Sequence, residues 1–375
     1  MIAASQPIQR PADAKLLVIE AGSAPRCMPR SEWITLLRPG DLVLANDAAV
    51  IPASLHGIHL RTGTPVEIRL AGRESLATED VTRFWAIVFG AGDYHTRTED
   101  RAPPPILHPG DRLRLGPLKA MIEPLPAHPR LVSLGFEGTP ASIWQGLAIH
   151  GRPIQYAHVP TPLAPWDVWT PIAGPPVAFE PPSAGFALDW NALSRIKQRG
   201  AAFATLTHAA GISSTGDSRL DRLLPFDEPY RIPTATAQAI REVRAHGGRV
   251  IAIGTTVVRA LEHAALDNAE GWVGSGDGIA TGRIGASTSL RAVDAILTGT
   301  HEVDTSHYEL LRAFADDLTL QEAARVLDAE GFRTHEFGDS VFVVAQRNSR
   351  FHGVTEDARR SANGSTTIAW SDFGA

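Results

Sequence analysis

The chain reads as an α/β fold carrying an inserted all-β module, a small antiparallel barrel or sandwich. Three observations predict this. Arg249 to Glu262, RVIAIGTTVVRALE, is a strand, a tight turn and a helix in succession. Strands and helices alternate on both sides of it. From His56 to Leu147 the helical period disappears and short alternating apolar runs replace it.

In the first of these stretches, Val250 to Ile253 is apolar, β-branched and of strand length. Gly254 ends it. Thr255 and Thr256 follow, and either hydroxyl can cap a helix. Val257, Val258, Leu261, Ala264 and Ala265 then recur at helical spacing. Such a turn lies at the carboxyl end of a strand, where open α/β sheets bind ligands. Free N–H groups at the helix start favour a carboxylate or phosphate. An ordinary βα unit with capping threonines has the same pattern.

Composition narrows the function classes. Hydrophobic residues make up 43% and charged residues 20% of the 375 residues, as in a globular protein. The length suffices for two domains. There is no run of about 18 apolar residues, so no membrane span is expected. The first residues lack a basic segment followed by an apolar core, so no signal peptide is expected. A single cysteine, Cys27, excludes an internal disulfide and any cysteine-built metal site, and fits a cytoplasmic protein. The net charge of −6 with no block of Lys or Arg does not advertise nucleic-acid binding.

Taken in order, Leu16 to Ile19 is a strand. Trp33, Leu36 and Leu37 have helical spacing, which Arg38-Pro39-Gly40-Asp41 breaks. Leu42 to Ala45 is a buried strand running into Asn46-Asp47, a polar pair that can reach a ligand or simply turn the chain. Val66, Ile68 and Leu70 alternate, as do Phe84, Ala86 and Val88, then Leu113 and Leu115, then Val132, Leu134 and Phe136. Ile143 to Ile149 restores a helix. Gly151 to Gly185 is rich in Pro and Trp and reads as a long ordered loop, whose aromatics can pack a junction or stack on a base. A helix over about 188–199, a strand from Ala202 to Thr207, His208 after it, and a loop through Pro225 to Tyr230 follow. A helix from Thr234 to Ala245 leads to the central strand. Gly271 to Gly285 is glycine-rich but lacks the Lys and Ser/Thr of a phosphate loop, so a flexible connection is expected. Ala292 to Thr298 is apolar and precedes His301. Asp304, Thr305 or Ser306 can start the next helix; Ser306 and Glu309 have capping-box spacing. A helix over 321–330 and a strand from Val341 to Val344 complete the pattern. Residues 1–55 and 151–347 are expected to make one discontinuous α/β domain, 56–150 the insert, and 348–375 a tail. A histidine after a strand, such as His208 or His301, is commonly structural. No zinc spacing and no dinucleotide fingerprint is present.

Five blocks carry a resemblance. Leu37 to Gly57, Ser183-Ala184-Gly185, Arg249 to Glu262, Val293 to Phe314 and Phe337-Gly338-Asp339 are similar, in order, to the blocks of the S-adenosylmethionine:tRNA ribosyltransferase-isomerase family of queuosine biosynthesis. The Gly-Thr-Thr block is the most specific. The resemblance covers about residues 10–345. It implies an α/β domain with an inserted antiparallel β-barrel domain. It also implies transfer and isomerisation of the ribosyl part of S-adenosylmethionine onto a 7-aminomethyl-7-deazaguanine base in tRNA, with loss of adenine and methionine. No metal or further cofactor is implied, and a cytoplasmic monomer is expected. The matched positions point to Asn46, Asp47, Gly185, His208, Gly254, Thr255, Thr256, Arg259, Thr298, Gly338 and Asp339 as substrate-binding, and to His301 for proton transfer or contact with the leaving group.

The chain departs from the family pattern at several positions. Ala49 and Ser54 stand where the family places arginines, and Ala187 where it places a histidine. Gly299-Thr300 replaces an Asn-Phe pair, and Ile154-Gln155-Tyr156-Ala157 a Pro-Pro-Tyr-Ile element. With the arginines gone and the net charge negative, weak tRNA binding is the expectation. Two other readings stay open: a transfer from S-adenosylmethionine onto a non-tRNA acceptor, and a non-catalytic binding protein.

Overall fold

Alternate residues of each core strand point to opposite faces of a sheet, and that alternation organises the molecule. In the computed structural model, which describes residues 1–123, 128–266, 272–303 and 305–346, a nine-stranded sheet forms the spine. Its spatial order is Gly276–Ala280, Glu228–Ile232, Ala202–His208, Leu42–Asn46, Val250–Ile253, Ala295–Gly299, Ser340–Val344, Lys15–Ile19 and Arg26–Pro29. Ala202–His208, Leu42–Asn46, Val250–Ile253 and Ala295–Gly299 run parallel. Leu17, Leu42, Leu44, Val250 and Ala252 pack on one face under the helices Thr234–Ala245, Thr255–Leu266 and Asp317–Ala329. Leu16, Val18, Val43, Ala45, Ile251 and Ile253 pack on the other, with Trp33, Leu188 and the helix Trp190–Gln198. These strands are apolar throughout because both faces are covered.

The second core is a closed antiparallel barrel whose six strands lie between Ser54 and Phe136. Phe84, Leu113, Val132 and Leu134 fill it, and the helix Pro140–His150 closes it with Ile143 and Leu147. The short alternating runs of the sequence therefore do form a barrel rather than a sandwich. Residues 1–345 pack as one compact unit. Within the Pro- and Trp-rich stretch, the Trp169 indole N–H donates to the Val50 carbonyl at 2.9 Å, while Trp166 is exposed.

Two expectations change, and a third choice resolves. Pro225 to Tyr230 is not all loop: Glu228–Ile232 pairs on both sides, with Ala202–His208 and with Gly276–Ala280. Gly271 to Gly285 is likewise not simply a connection, since Gly276–Ala280 is the sheet's edge strand. One of its glycines, Gly278, has a packing cause. A Cβ at Gly278 would lie 2.5 Å from the Tyr230 hydroxyl. The helix after His301 spans Ser306–Leu311 and is capped by Thr305, whose Oγ1 accepts from the Tyr308 N–H at 3.2 Å. Asp304 and the expected tail at 348–375 lie outside the described residues.

Candidate active site

Four parallel strands end at one edge of the sheet, and the chain enters Ser340–Val344 at the same edge, with Ser340 opposite Gly299. Asn46, Asp47, His208, Gly254 to Thr256, Thr298, His301 and residues 335–339 are therefore collected along it.

The Asn46 amide is largely occupied by the backbone. Its Oδ1 accepts from the N–H groups of Ala48 (3.0 Å) and His208 (2.9 Å), and its Nδ2 donates to the His208 carbonyl at 2.9 Å. A longer contact, 3.4 Å, reaches Thr256 Oγ1. Asp47 is less buried, and Thr205 and Thr207 donate their hydroxyls to its two oxygens at 2.9 and 2.7 Å. Gly254 has φ +94°, a backbone conformation that other residues rarely adopt, and its N–H donates to the Leu297 carbonyl. Thr255 and Thr256 open the following helix and are only half-buried, so the helix start faces the edge.

His208, Glu228 and Arg259 form a buried group. Arg259 donates to Glu228 and to the carbonyls of Phe226, Ala280 and Gly282. Burial, and secondarily the Arg259 charge, lower the His208 pKa to about 3, so its ring is neutral. Burial raises the Glu228 carboxyl, and Arg259 opposes it. Arg259 thus braces the sheet edge strands from beneath.

Gly185, Gly338 and Asp339 also hold the frame. Asp339 accepts from the N–H groups of Lys15 and Arg333 at 2.8 and 2.7 Å. A Cβ at Gly338 would meet the Arg333 carbonyl at 2.4 Å, and one at Gly185 would meet Thr170 at 3.0 Å. What this frame positions is a row of rings. The Thr298 hydroxyl lies 2.8 Å from His301 Nε2. His301 stacks on His307 with ring centroids 4.8 Å apart. Burial first, then the His307 and His335 charges, hold His301 well below the usual imidazole range. His335 stacks on His158 at 4.0 Å, and His158 on Tyr156 at 6.1 Å. His158 Nε2 meets Glu336 Oε2 at 3.0 Å.

Tyr156 turns the row toward a carboxylate. Its hydroxyl donates to Glu180 Oε1 and lies 3.3 Å from the Ser213 hydroxyl. Burial raises the Glu180 pKa to about 7; the Tyr156 and Ser213 hydrogen bonds oppose this, and the neighbouring Glu336 adds to it. Burial likewise pushes the Tyr156 phenol well above its ordinary value. A carboxyl poised near neutrality beside solvent-reachable Ser213 is suited to proton abstraction. The residue-level reading singled out none of Glu180, His158, His307, His335 and Glu336. Glu180 directly precedes Pro181-Pro182, and His335-Glu336 directly precede Phe337-Gly338-Asp339, so adjacency to recognised blocks was the available signal. His158, His335 and Glu336 also bring ligand atoms within 4.8 Å of one another, the spacing of a small cation site. A cleft of about 390 Å³ lies elsewhere, between the C-terminal helices, where Arg312 is already paired with Glu309 and Asp317.

Comparison with known proteins agrees with the sequence blocks. The profile of the family described as "Queuosine biosynthesis protein" matches residues 1–343. The S-adenosylmethionine:tRNA ribosyltransferase-isomerase of Thiobacillus denitrificans is 33% identical over 350 residues, 92% of this chain and 94% of that one. The proteins of the same name from Geobacter sulfurreducens and Pelobacter propionicus are 32% and 31% identical, over 92% and 82% of this chain and 96% and 85% of theirs. A solved structure of an S-adenosylmethionine tRNA ribosyltransferase from Thermotoga maritima aligns at 22% identity over 91% of this chain and 96% of that one, with a TM-score of 0.47, too distant a likeness to add weight. On the extent of the family match and the identity of these relatives, the chain belongs to the S-adenosylmethionine:tRNA ribosyltransferase-isomerase family of queuosine biosynthesis.

Proposed function

We propose that this chain transfers and isomerises the ribosyl moiety of S-adenosylmethionine onto a 7-aminomethyl-7-deazaguanine base in tRNA, giving epoxyqueuosine with release of adenine and methionine. The observation that carries the reading is the Glu180 carboxyl, raised to about 7 and held by Tyr156 and Ser213 at the edge where the family's blocks converge. The sulfonium acidifies the adjacent ribose carbon. A carboxylate of pKa near 7 can take that proton at physiological pH, and Glu180 is assigned this role. His301 stands near the departing adenine. The Thr298 hydroxyl lies 2.8 Å from its Nε2, and the neutral ring can offer a hydrogen bond to the base as it leaves. Thr255 and Thr256, with Asn46 behind them, receive ribose hydroxyls at the helix start. We assign Asp47 a supporting role at the same site. The chemistry draws on the sulfonium for its driving force, so no metal is assigned, and the chain is taken to act as a cytoplasmic monomer.

Incubation with S-adenosylmethionine, with and without tRNA carrying the precursor base, tests the reading by mass spectrometry. A ribosyl-derived mass gain on the tRNA with equimolar adenine is expected. Adenine release without modified tRNA would point to another acceptor, and no adenine in either tube to a binding protein.

A further inference from the structure

In the barrel, three arginines surround one phenyl ring. The guanidinium carbons of Arg69, Arg101 and Arg130 lie 4.8, 5.2 and 5.5 Å from the Phe89 ring centroid. One buried carboxylate, Glu67, bonds to this group, while Asp93 and Asp217 act on Arg101 and Arg130 by charge alone. Glu67 accepts from Arg69 Nε at 2.8 Å, from Arg101, and from the Ser54 hydroxyl at 2.8 Å. Arg69 and Arg101 are 1% and 3% exposed, and Glu67 is 2% exposed. Arg69 and Arg101 share this single buried carboxylate, an excess of buried positive charge that desolvation penalises. Arg101 relieves part of it on the Gly92 carbonyl at 2.8 Å. Arg69 Nη1 and Arg130 Nη1 have no hydrogen-bond partner among the described residues.

The position of Arg69 gives this excess a direction. Its guanidinium lies 5.4 Å from the Tyr156 ring centroid, and the Tyr156 hydroxyl donates to Glu180. One half-buried ring therefore joins the Arg69 guanidinium, whose Nη1 has no hydrogen-bond partner among the described residues, to the proposed base, and exposed Ser213 lies beside them. In the methionyl group of S-adenosylmethionine the carboxylate is separated from the sulfonium by a short carbon chain. A donor whose ribose carbon faces Glu180 has its carboxylate within reach of a group one side chain away. A carboxylate also supplies what Arg69 lacks, a planar acceptor for its free N–H.

We propose that Arg69, backed by Arg101, is the oxyanion pocket that takes the methionyl carboxylate of S-adenosylmethionine. This rests on the reading of the chain as an S-adenosylmethionine-dependent transferase. It assigns the helix start at Thr255 to the ribose and leaves the carboxylate to the barrel.

The test is calorimetric binding of two ligands, S-adenosylmethionine and 5′-deoxy-5′-(dimethylsulfonio)adenosine, which keeps the sulfonium and nucleoside but has no carboxylate. The wild-type chain is expected to prefer S-adenosylmethionine by roughly tenfold or more. Arg69→Gln should lose that preference by weakening S-adenosylmethionine alone, with the analogue's affinity unchanged. Arg69→Lys keeps the charge but not the fork; it is expected to lose most of the preference, and it replaces Arg69→Gln if that variant does not melt cooperatively. Equal weakening of both ligands would mark Arg69 as structural and overturn the assignment. So would an unchanged preference. Loss of affinity for an anticodon stem-loop with S-adenosylmethionine binding intact would give the pocket to a backbone phosphate and also overturn it. If the wild-type chain binds neither ligand, the transferase reading itself fails and the pocket assignment falls with it; the variants then play no part.

Discussion

Replacing Glu180 by Gln removes a base while keeping its volume and its ability to accept from Tyr156. If Glu180 abstracts the ribose proton, adenine release should fall by roughly 10²–10⁴-fold, the range of a positioned general base. The same substitution has a second consequence that does not depend on turnover. Burial raises the folded pKa from 4.5 to about 7. A carboxyl raised on folding contributes stability that is fully present below its unfolded pKa and lost as pH rises through about 7. The native state binds the extra proton in that window, so wild-type stability should decline by about 2–3 kcal/mol between pH 5 and pH 8 from this group. A glutamine has no such term. Urea titrations at the two pH values should therefore show Glu180→Gln gaining on wild type by about that amount at the higher pH. Wild-type activity should rise through about pH 7 and level off. Adenine release within tenfold of wild type would refute the catalytic role. Parallel stability profiles for the two proteins would refute the raised pKa.

Thr256→Val should weaken S-adenosylmethionine binding by about 1–3 kcal/mol, measured by calorimetry, because a buried ligand hydroxyl loses its partner; unchanged affinity would remove Thr256 from the site. Arg259→Met should destabilise the fold by about 3–5 kcal/mol by leaving Glu228 buried and unpaired, and the double change with Glu228→Gln should recover part of it in thermal melts. Ser54→Arg should lower stability by about 1–3 kcal/mol through overpacking. It should not raise stem-loop affinity or its salt dependence in filter binding; a gain in both would refute the placement of this position inside the molecule.

The parts of the fold that were legible in the sequence are those where one physical signal dominates. Val250 to Ile253 and Leu42 to Ala45 are covered on both faces, so their apolar runs are unbroken and strand length alone identifies them. The barrel strands Arg112–Leu115 and Leu118–Ile122 have one wet face, so they alternate. Glu228–Ile232 was hidden because Pro229 and two charged residues mask a strand whose partners are distant in sequence. Gly276–Ala280 was hidden because Gly278 answers to the Tyr230 ring, a tertiary demand with no local trace. The site divides in the same way. The glycines and threonines of the recognised blocks are visible because they shape backbone. Glu180 and the His158–His335 pair are not, since what makes them reactive is burial and the neighbours brought by three separate loops.

The same distinction changes what the missing arginines mean. From sequence alone, Ala49 and Ser54 read as lost phosphate contacts, and weak tRNA binding followed. In the fold Ala49 is 5% exposed on a short strand paired with Pro176, and Ser54 is 6% exposed with its hydroxyl on Glu67. Neither residue meets solvent in this chain, so neither belongs to an exposed nucleic-acid surface. The burial of these two residues therefore gives the expectation of weak tRNA binding no support. What stands at position 54 is a small hydroxyl against a carboxylate that already holds Arg69 and Arg101. A third guanidinium there would compete for Glu67 and release one of the other two. The divergence of this chain from its relatives is thus located where the donor is expected to bind, and the affinity to measure first is that for S-adenosylmethionine.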